Sequence, residues 1–91
     1  MSENRRMPVK IKFFATLRQE AAVDGVELDA ATVGQAVKKL IKDFAGNENF
    51  VSQLKKANAI LNGQNVLWLK GASTKLSDGD ELVFFPPVGG G

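Results

Sequence analysis

One helical segment constrains the fold of this chain more than any other feature. After Thr32, apolar residues recur at the spacing that places them on one face of a helix, and they are Val33, Val37, Leu40, Ile41 and Phe44. Thr32 and Gln35 have the spacing of a capping box, and Gly46 is placed to end the helix in a left-handed conformation. A single amphipathic helix needs a sheet to cover its apolar face.

Alternating segments before this helix predict two strands of that sheet. Val9–Phe13 alternates strictly between apolar and polar residues, which is typical of a half-buried strand running on to about Phe14. Residues 24–29 alternate in the same way, and we expect the two strands to form a hairpin. Between them, residues 15–20 predict a turn or one helical turn that holds Leu17 inward.

The second half of the chain predicts a short helix and three more strands. The helix covers residues 49–54, and the strands cover 57–61, 66–69 and Glu81–Phe85. Asn62-Gly63 favours a tight hairpin turn after the first of these strands, and residues 71–74 predict a loop. The element order predicts an α+β roll, in which a mixed sheet of four to five strands packs on one main helix.

Composition excludes several functional classes. The 91 residues are expected to form one domain, 1–91, and they contain neither cysteine nor histidine. No metal site is therefore expected, and catalysis by the chain alone is not expected either. Twelve basic and ten acidic residues are scattered, which argues against a nucleic-acid partner. No apolar run is long enough for a membrane span, so a cytoplasmic protein without membrane contact is expected.

The last six residues, PPVGGG, leave two interpretations open. Pro86 and Pro87 cannot donate to a sheet, so they stop the last strand and direct the chain away from it. Residues 88–91 would reach about 13–14 Å when extended, and three of them lack a Cβ. This segment is either a frayed terminus or expression remnant, or it presents the terminal carboxylate as the substrate of another enzyme. Residues 1–7 are expected to be a disordered leader, and 86–91 an extended tail.

The end of the chain resembles a known family. Residues 76–91, LSDGDELVFFPPVGGG, closely resemble the C-terminal motif of the molybdopterin synthase small subunit, the MoaD branch of the MoaD/ThiS ubiquitin-like sulfur carriers. Residues 9–18 are similar to that family's first strand and following turn. The resemblance spans nearly the whole chain after Met7. It implies a β-grasp, ubiquitin-like fold with a flexible C-terminal glycine tail.

The resemblance also implies a chemistry that relies on partner proteins. A ubiquitin-activating-type enzyme uses ATP to adenylate the carboxylate of Gly91, and a cysteine desulfurase or rhodanese-type donor replaces AMP with sulfur. The resulting thiocarboxylate then donates sulfur to cyclic pyranopterin monophosphate inside the large subunit of molybdopterin synthase. The chain itself would bind no cofactor. It would act as the sulfur-donating subunit of molybdopterin synthase, in molybdenum cofactor biosynthesis.

The resemblance assigns roles residue by residue. Gly91 carries the reactive carboxylate, and the residues that thread the tail into a partner are Pro86, Pro87, Val88, Gly89 and Gly90. Phe14, Val66 and Phe85 match positions that dock partners. Gly89 departs from the family pattern, in which Ala, Ser or Thr commonly precedes the final glycine pair.

Other functions share the same tail chemistry. Gly91 would also suit a protein modifier that forms isopeptide bonds with lysines. A sulfur carrier for thiolated tRNA, thiazole or cysteine synthesis is a second alternative, although Pro86-Pro87 favours the molybdopterin branch over the thiazole branch. A β-grasp interaction domain with an inert tail is a third.

Overall fold

The computed structural model describes residues 8–66 and 69–86, so the predicted leader and tail residues 87–91 lie outside it. The strands of this described part are β1 (Val9–Phe13), β2 (Gly25–Leu28), β3 (Asn58–Leu61), β4 (Gln64–Asn65) and β5 (Glu81–Phe85). Its α-helices are α1 (Ala15–Ala21), α2 (Val33–Asp43) and α3 (Glu48–Lys55). A short 3-10 helix covers Gly71–Ser73, where the sequence predicted a loop.

The strands form one mixed sheet in the order β2-β1-β5-β3-β4. β1 and β5 run parallel at its centre, although they come from opposite ends of the chain. The β1–β2, β3–β4 and β3–β5 pairs are antiparallel, so the predicted first hairpin is confirmed. This arrangement confirms the α+β, β-grasp architecture, with α2 as its longest helix and two shorter helices beside it.

Alternation along the strands separates a buried inner face of the sheet from an open outer face. In β1, Val9, Ile11 and Phe13 are buried, whereas Lys10 and Lys12 are exposed. The buried side chains pack beneath the helices. The Phe13 ring, for example, lies 5.1 Å from that of Phe50 of α3, at 85°. Each large side chain removed from water in this way stabilises the fold by about 1.5–3 kcal/mol.

The segment after β1 is a longer helix than the sequence predicted. Residues 15–21 form α1, which buries Leu17 as expected. Hydrogen bonds to the α3 region hold α1 in place. The Thr16 hydroxyl donates to Gln53 Oε1 (2.6 Å), and Asn47 Nδ2 donates to the Glu20 carbonyl (2.7 Å). These tertiary contacts explain a helix that local periodicity did not reveal.

Asn47 also sets the start of α3. Its side-chain oxygen accepts from the Phe50 N–H at 3.0 Å, which makes Asn47 the N-cap of the helix. The predicted start at residue 49 was therefore one residue late, because α3 begins at Glu48.

The two ends of α2 differ in how well the sequence predicted them. The Gln35 N–H donates to Thr32 Oγ1 (3.1 Å), as in a capping box, but Gln35 Oε1 accepts from Ala31 N–H (2.9 Å) rather than from Thr32. The prediction of a left-handed cap at Gly46 was wrong, because the φ angle of Gly46 is not positive. Right-handed turns satisfy the last carbonyl groups instead, and the Asn47 N–H donates to the Phe44 carbonyl at 2.8 Å.

The predicted return strand over residues 66–69 was also wrong at the positions that are described. The tight turn forms as expected, with positive φ at Asn62 (48°) and Gly63 (89°), but β4 ends at Asn65. The Leu69 N–H then donates to the Val66 carbonyl at 3.0 Å, which is the bond of a helical turn rather than of a strand. A short run of apolar residues, such as the one after Asn65, fits a buried strand and a helical segment equally well, and the sequence-based prediction was the strand.

Gly25 offers a test of the close approach between β1 and β2. A Cβ on this residue would overlap the Ile11 carbonyl oxygen, so the backbone must shift to accept alanine. We expect Gly25→Ala to lower the free energy of unfolding by about 1–3 kcal/mol, as measured by urea denaturation.

Gly46→Ala is the matched control for this substitution. No atom lies within 4 Å of the added Cβ, and φ is not positive, so the change should be neutral or raise stability by up to about 1 kcal/mol. Equal losses in the two variants would contradict the proposed strand contact.

Candidate functional site

The last strand, β5, exposes part of its apolar surface on the outer face of the sheet. Leu82 and Phe84 point inward and are buried, whereas Val83 and Phe85 are half-buried on the outer face. Val83 lies opposite Lys12 of β1 on one side and Ile60 of β3 on the other. The alternation predicted from the sequence therefore places apolar side chains where no helix covers them.

Phe14 and Phe85, two of the predicted docking residues, contact each other. Their ring centroids are 4.9 Å apart, with 50° between the ring planes. The Phe14 N–H donates to the Phe84 carbonyl at 3.1 Å, which continues the pairing of β1 with β5 past Phe13. Phe14 is nevertheless 47% exposed, so much of its ring faces solvent. A large exposed aromatic side chain held by a neighbour is a typical anchor for a partner protein.

Ile60 adds to this surface, and the sequence reasoning missed it. In β3, Ala59 and Leu61 are buried while Ile60 is half-buried. The register with β5 places it beside Val83. Alternation counted back from the Asn62-Gly63 turn places Ile60 on the face opposite Leu61. The pairing of β3 with β5 must also be known before Ile60 can be assigned to this surface. We call Phe14, Ile60, Val83 and Phe85 the apolar cluster.

Charged side chains border the apolar cluster. Lys12 Nζ lies 2.9 Å from Glu81 Oε2, and both side chains are about half exposed. An open groove of about 550 Å³ runs beside them along β1 and β2. Its lining includes Lys10, Phe14, Arg18, Asp24 and Glu27, so both signs of charge are present. Exposed ion pairs of this kind contribute little stability, but they orient a partner that approaches the surface.

Val66, the third predicted docking residue, lies elsewhere. Its side chain is only 5% exposed and belongs to the hydrophobic core. Because β4 ends at Asn65, Val66 does not continue a strand toward the apolar cluster. Contact between Val66 and a partner would require the side chain to leave the core.

The start of the predicted tail adjoins the apolar cluster directly. β5 ends at Phe85, as expected because the next residue, Pro86, has no N–H to donate to a sheet. Pro86 is half-buried. Pro87, Val88, Gly89, Gly90 and Gly91 lie outside the described residues, and their roles stay predictions. The chain therefore leaves the sheet at the residue that supplies one ring of the Phe14–Phe85 contact.

Two further observations concern residues 8–66 and 69–86. Within them, no three side chains of His, Cys, Asp or Glu come together as metal ligands would. None of the helices in the same residues has both the length and the apolar character of a membrane span.

Comparison with known proteins identifies the family. The model of the ThiS family matches residues 11–91, and the chain therefore belongs to that family. Small archaeal modifier protein 3 of Haloferax volcanii is 34% identical over 92 residues, which cover 93% of this chain and 100% of that protein.

Solved structures of named proteins share the fold. The small archaeal modifier protein 1 of Methanosarcina acetivorans has a TM-score of 0.78 at 28% identity, over 97% of this chain and 100% of that one. A putative molybdopterin converting factor, subunit 1, from Pyrococcus furiosus has a TM-score of 0.69 at 30% identity, over 90% and 99%. The BexX/CysO complex of Amycolatopsis orientalis contains a chain with a TM-score of 0.73 at 26% identity, over 91% and 99%.

The apolar cluster can be tested by removing its two rings singly. If the apolar cluster anchors the adenylating enzyme of the ubiquitin-activating type that the resemblance implies, Phe14→Ala and Phe85→Ala should each weaken binding to that enzyme by about tenfold or more, because each removes exposed ring surface. Isothermal titration calorimetry measures the change in Kd.

Val23→Ala serves as the matched control, since Val23 is 43% exposed but lies in the turn after α1. Its Kd should change by less than about twofold. Equal losses in all three variants would show that the apolar cluster has no special role.

Proposed function

We propose that this member of the ThiS family is a small ubiquitin-like protein modifier, which is activated at Gly91 and joined through it to lysine side chains of other proteins. The observation that carries the proposal is the exposed Phe14–Phe85 contact at the point where β5 releases the PPVGGG segment. A partner that binds the apolar cluster would have the start of that segment within its reach. The proposal includes that Gly91 is the last residue of the mature chain.

Activation is a reaction of the carboxylate with ATP on an adenylating partner. One carboxylate oxygen of Gly91 attacks the α-phosphorus, and pyrophosphate leaves. The product is an acyl adenylate whose carbonyl carbon is open to nucleophiles. Gly90 and Gly91 have no Cβ, which suits a segment that must enter a narrow active site and leave its last carbonyl accessible.

The acyl adenylate has two productive fates. When the amine of a lysine attacks, a C–N bond forms, AMP leaves with the electrons of the C–O bond, and the amine loses a proton. When a cysteine desulfurase or rhodanese-type partner supplies sulfur instead, the terminal sulfur of its persulfide attacks, a C–S bond forms and AMP leaves. A second thiol of that partner then reduces the resulting acyl disulfide, and the two partner sulfurs become a disulfide as the thiocarboxylate is released. Sulfur transfer is the chemistry of the wider family of ThiS/MoaD-type carriers, so one activation step serves both uses.

Similarity to two small archaeal modifier proteins supports the first fate. The Haloferax volcanii protein is similar in sequence along its own whole length, and the Methanosarcina acetivorans protein has the same fold along its own whole length. Both are named modifier proteins, and that name supports the modifier role proposed for this chain. The matched Amycolatopsis orientalis structure is a complex of two proteins, BexX and CysO, which supports the idea that this chain also acts in a complex with a partner protein.

The small subunit of molybdopterin synthase is the second candidate function. It is favoured by the similarity to the Pyrococcus furiosus protein and by Pro86-Pro87 before the glycines. In that role the Gly91 thiocarboxylate would donate sulfur to cyclic pyranopterin monophosphate in the large subunit. If deletion of Gly90 and Gly91 left molybdopterin formation in cells intact, this second function would be excluded.

Intact-mass spectrometry tests the activation that both functions need. With the adenylating enzyme, ATP and a sulfur source, the wild-type chain should gain about 16 Da, because sulfur replaces one oxygen of the carboxylate. A variant without Gly90 and Gly91, which no longer ends in a glycine pair, should keep its mass.

Gly89→Ala is the matched control in the tail, because related carriers tolerate a small side chain before the final pair. It should gain the same about 16 Da as the wild type. An unchanged wild-type mass, or an equal gain in the variant that lacks Gly90 and Gly91, would overturn activation at the terminal glycine pair.

A further inference from the structure

A second open surface lies on the helical side of the sheet, away from the apolar cluster. α2 and α3 bury Leu40, Phe50 and Leu54 against the inner face, and the next side chains outward form a groove of about 370 Å³ between the two helices. Ile41, Ala45 and Val51 supply its apolar floor. Ile41 and Val51 are only half-buried, so part of this floor faces solvent.

Charge is distributed unevenly around this groove. Glu48 lies at one end, whereas Lys55 and Lys56 lie at the other. Residues 33–56, which contain both helices, carry five lysines and two acidic residues. Their net charge of +3 exceeds the +2 of the whole chain, so the remaining residues sum to −1. The segment that forms α2 and α3 therefore carries a net positive charge larger than that of the whole chain.

Most of these lysines have no partner within the described part of the chain. Lys39 donates to the Asp29 carbonyl. The described ion pairs join Lys12 to Glu81 and Arg18 to Asp24, and neither involves the helical side. Lys38, Lys42, Lys55 and Lys56 are exposed, and no carboxylate within residues 8–66 and 69–86 forms an ion pair with them. Such an arrangement attracts and orients an anionic ligand.

We propose that this groove binds an acidic amphipathic segment of a partner protein. Its apolar side chains would cover Ile41 and Val51, and its carboxylates would face Lys55 and Lys56. The volume suits a few side chains of one helix face, as in other helix-in-groove complexes. Glu48 at the opposite end sets the direction, because it repels the acidic end of the ligand.

The proposal does not rest on the proposed function. The groove and the apolar cluster lie on opposite sides of the sheet, so the acidic segment and an adenylating enzyme can bind at the same time. Loss of one interaction leaves the other measurable.

Titration of a labelled synthetic peptide into the full-length protein tests the proposal. The probe has leucine on one helical face and glutamate on the other, and its binding is followed by fluorescence anisotropy. Reversing two rim charges in Lys55→Glu/Lys56→Glu should weaken binding by about tenfold. Lys70→Glu/Lys75→Glu makes the same change in net charge at two exposed lysines outside the groove, and should weaken binding by less than about twofold.

Amide chemical shifts then show where the peptide binds. The expected result is that the amides of Ile41, Ala45 and Val51 shift while those of Val83 and Phe85 do not. The proposal is overturned if the wild-type chain does not bind the peptide, if both double variants lose equal affinity, or if the shifts map to the apolar cluster. Binding to vesicles rich in phosphatidylserine but not to the peptide would also overturn it, in favour of a membrane surface.

Discussion

The parallel pairing of β1 with β5 is the constraint on which the rest of the structure depends. It joins the first and last strands at the centre of the sheet, with Ile11 opposite Leu82 and Phe13 opposite Phe84 on the buried face. One residue further along, the same pairing places the exposed Phe14 against Phe85. The strand that completes the core is therefore also the strand that presents the apolar cluster and releases the tail.

This arrangement ties stability and recognition to one strand. Within β5, the inward residues are fully buried, while the outward ones retain enough exposure to contact a partner. The neighbouring turn secures the start of the strand, since the Asn62 side chain accepts from the Glu81 N–H and donates to Asp80, each at 3.0 Å. A partner that binds the apolar cluster thus meets a surface that is already ordered, which lowers the entropic cost of binding.

Local patterns in the sequence predicted the elements that local interactions determine. Thr32 begins α2 and Asn62-Gly63 turns the chain because their side-chain and backbone requirements lie within a few residues.

Features set by distant contacts were missed or wrong. α1 depends on hydrogen bonds to α3, and Ile60 reaches the apolar cluster only through the register of β3 with β5. One prediction from local sequence was also wrong: Gly46 has no left-handed conformation, because neighbouring right-handed turns satisfy the helix end. Phe14 and Phe85 were predicted by resemblance to dock partners, and the register of β1 with β5 explains why their rings contact each other.

The claim that Gly91 becomes joined to lysines of other proteins is tested most directly by peptide mass spectrometry of cellular conjugates. Trypsin cleaves after Lys75, and residues 76–91 contain no further lysine or arginine, so this whole segment would remain on the modified lysine. We predict peptides of other proteins that carry residues 76–91 in an isopeptide bond through Gly91. Cells that express the chain without Gly90 and Gly91 should give no peptides branched with residues 76–89. Absence of such branched peptides from wild-type cells, under conditions in which the thiocarboxylate forms, would contradict the modifier function.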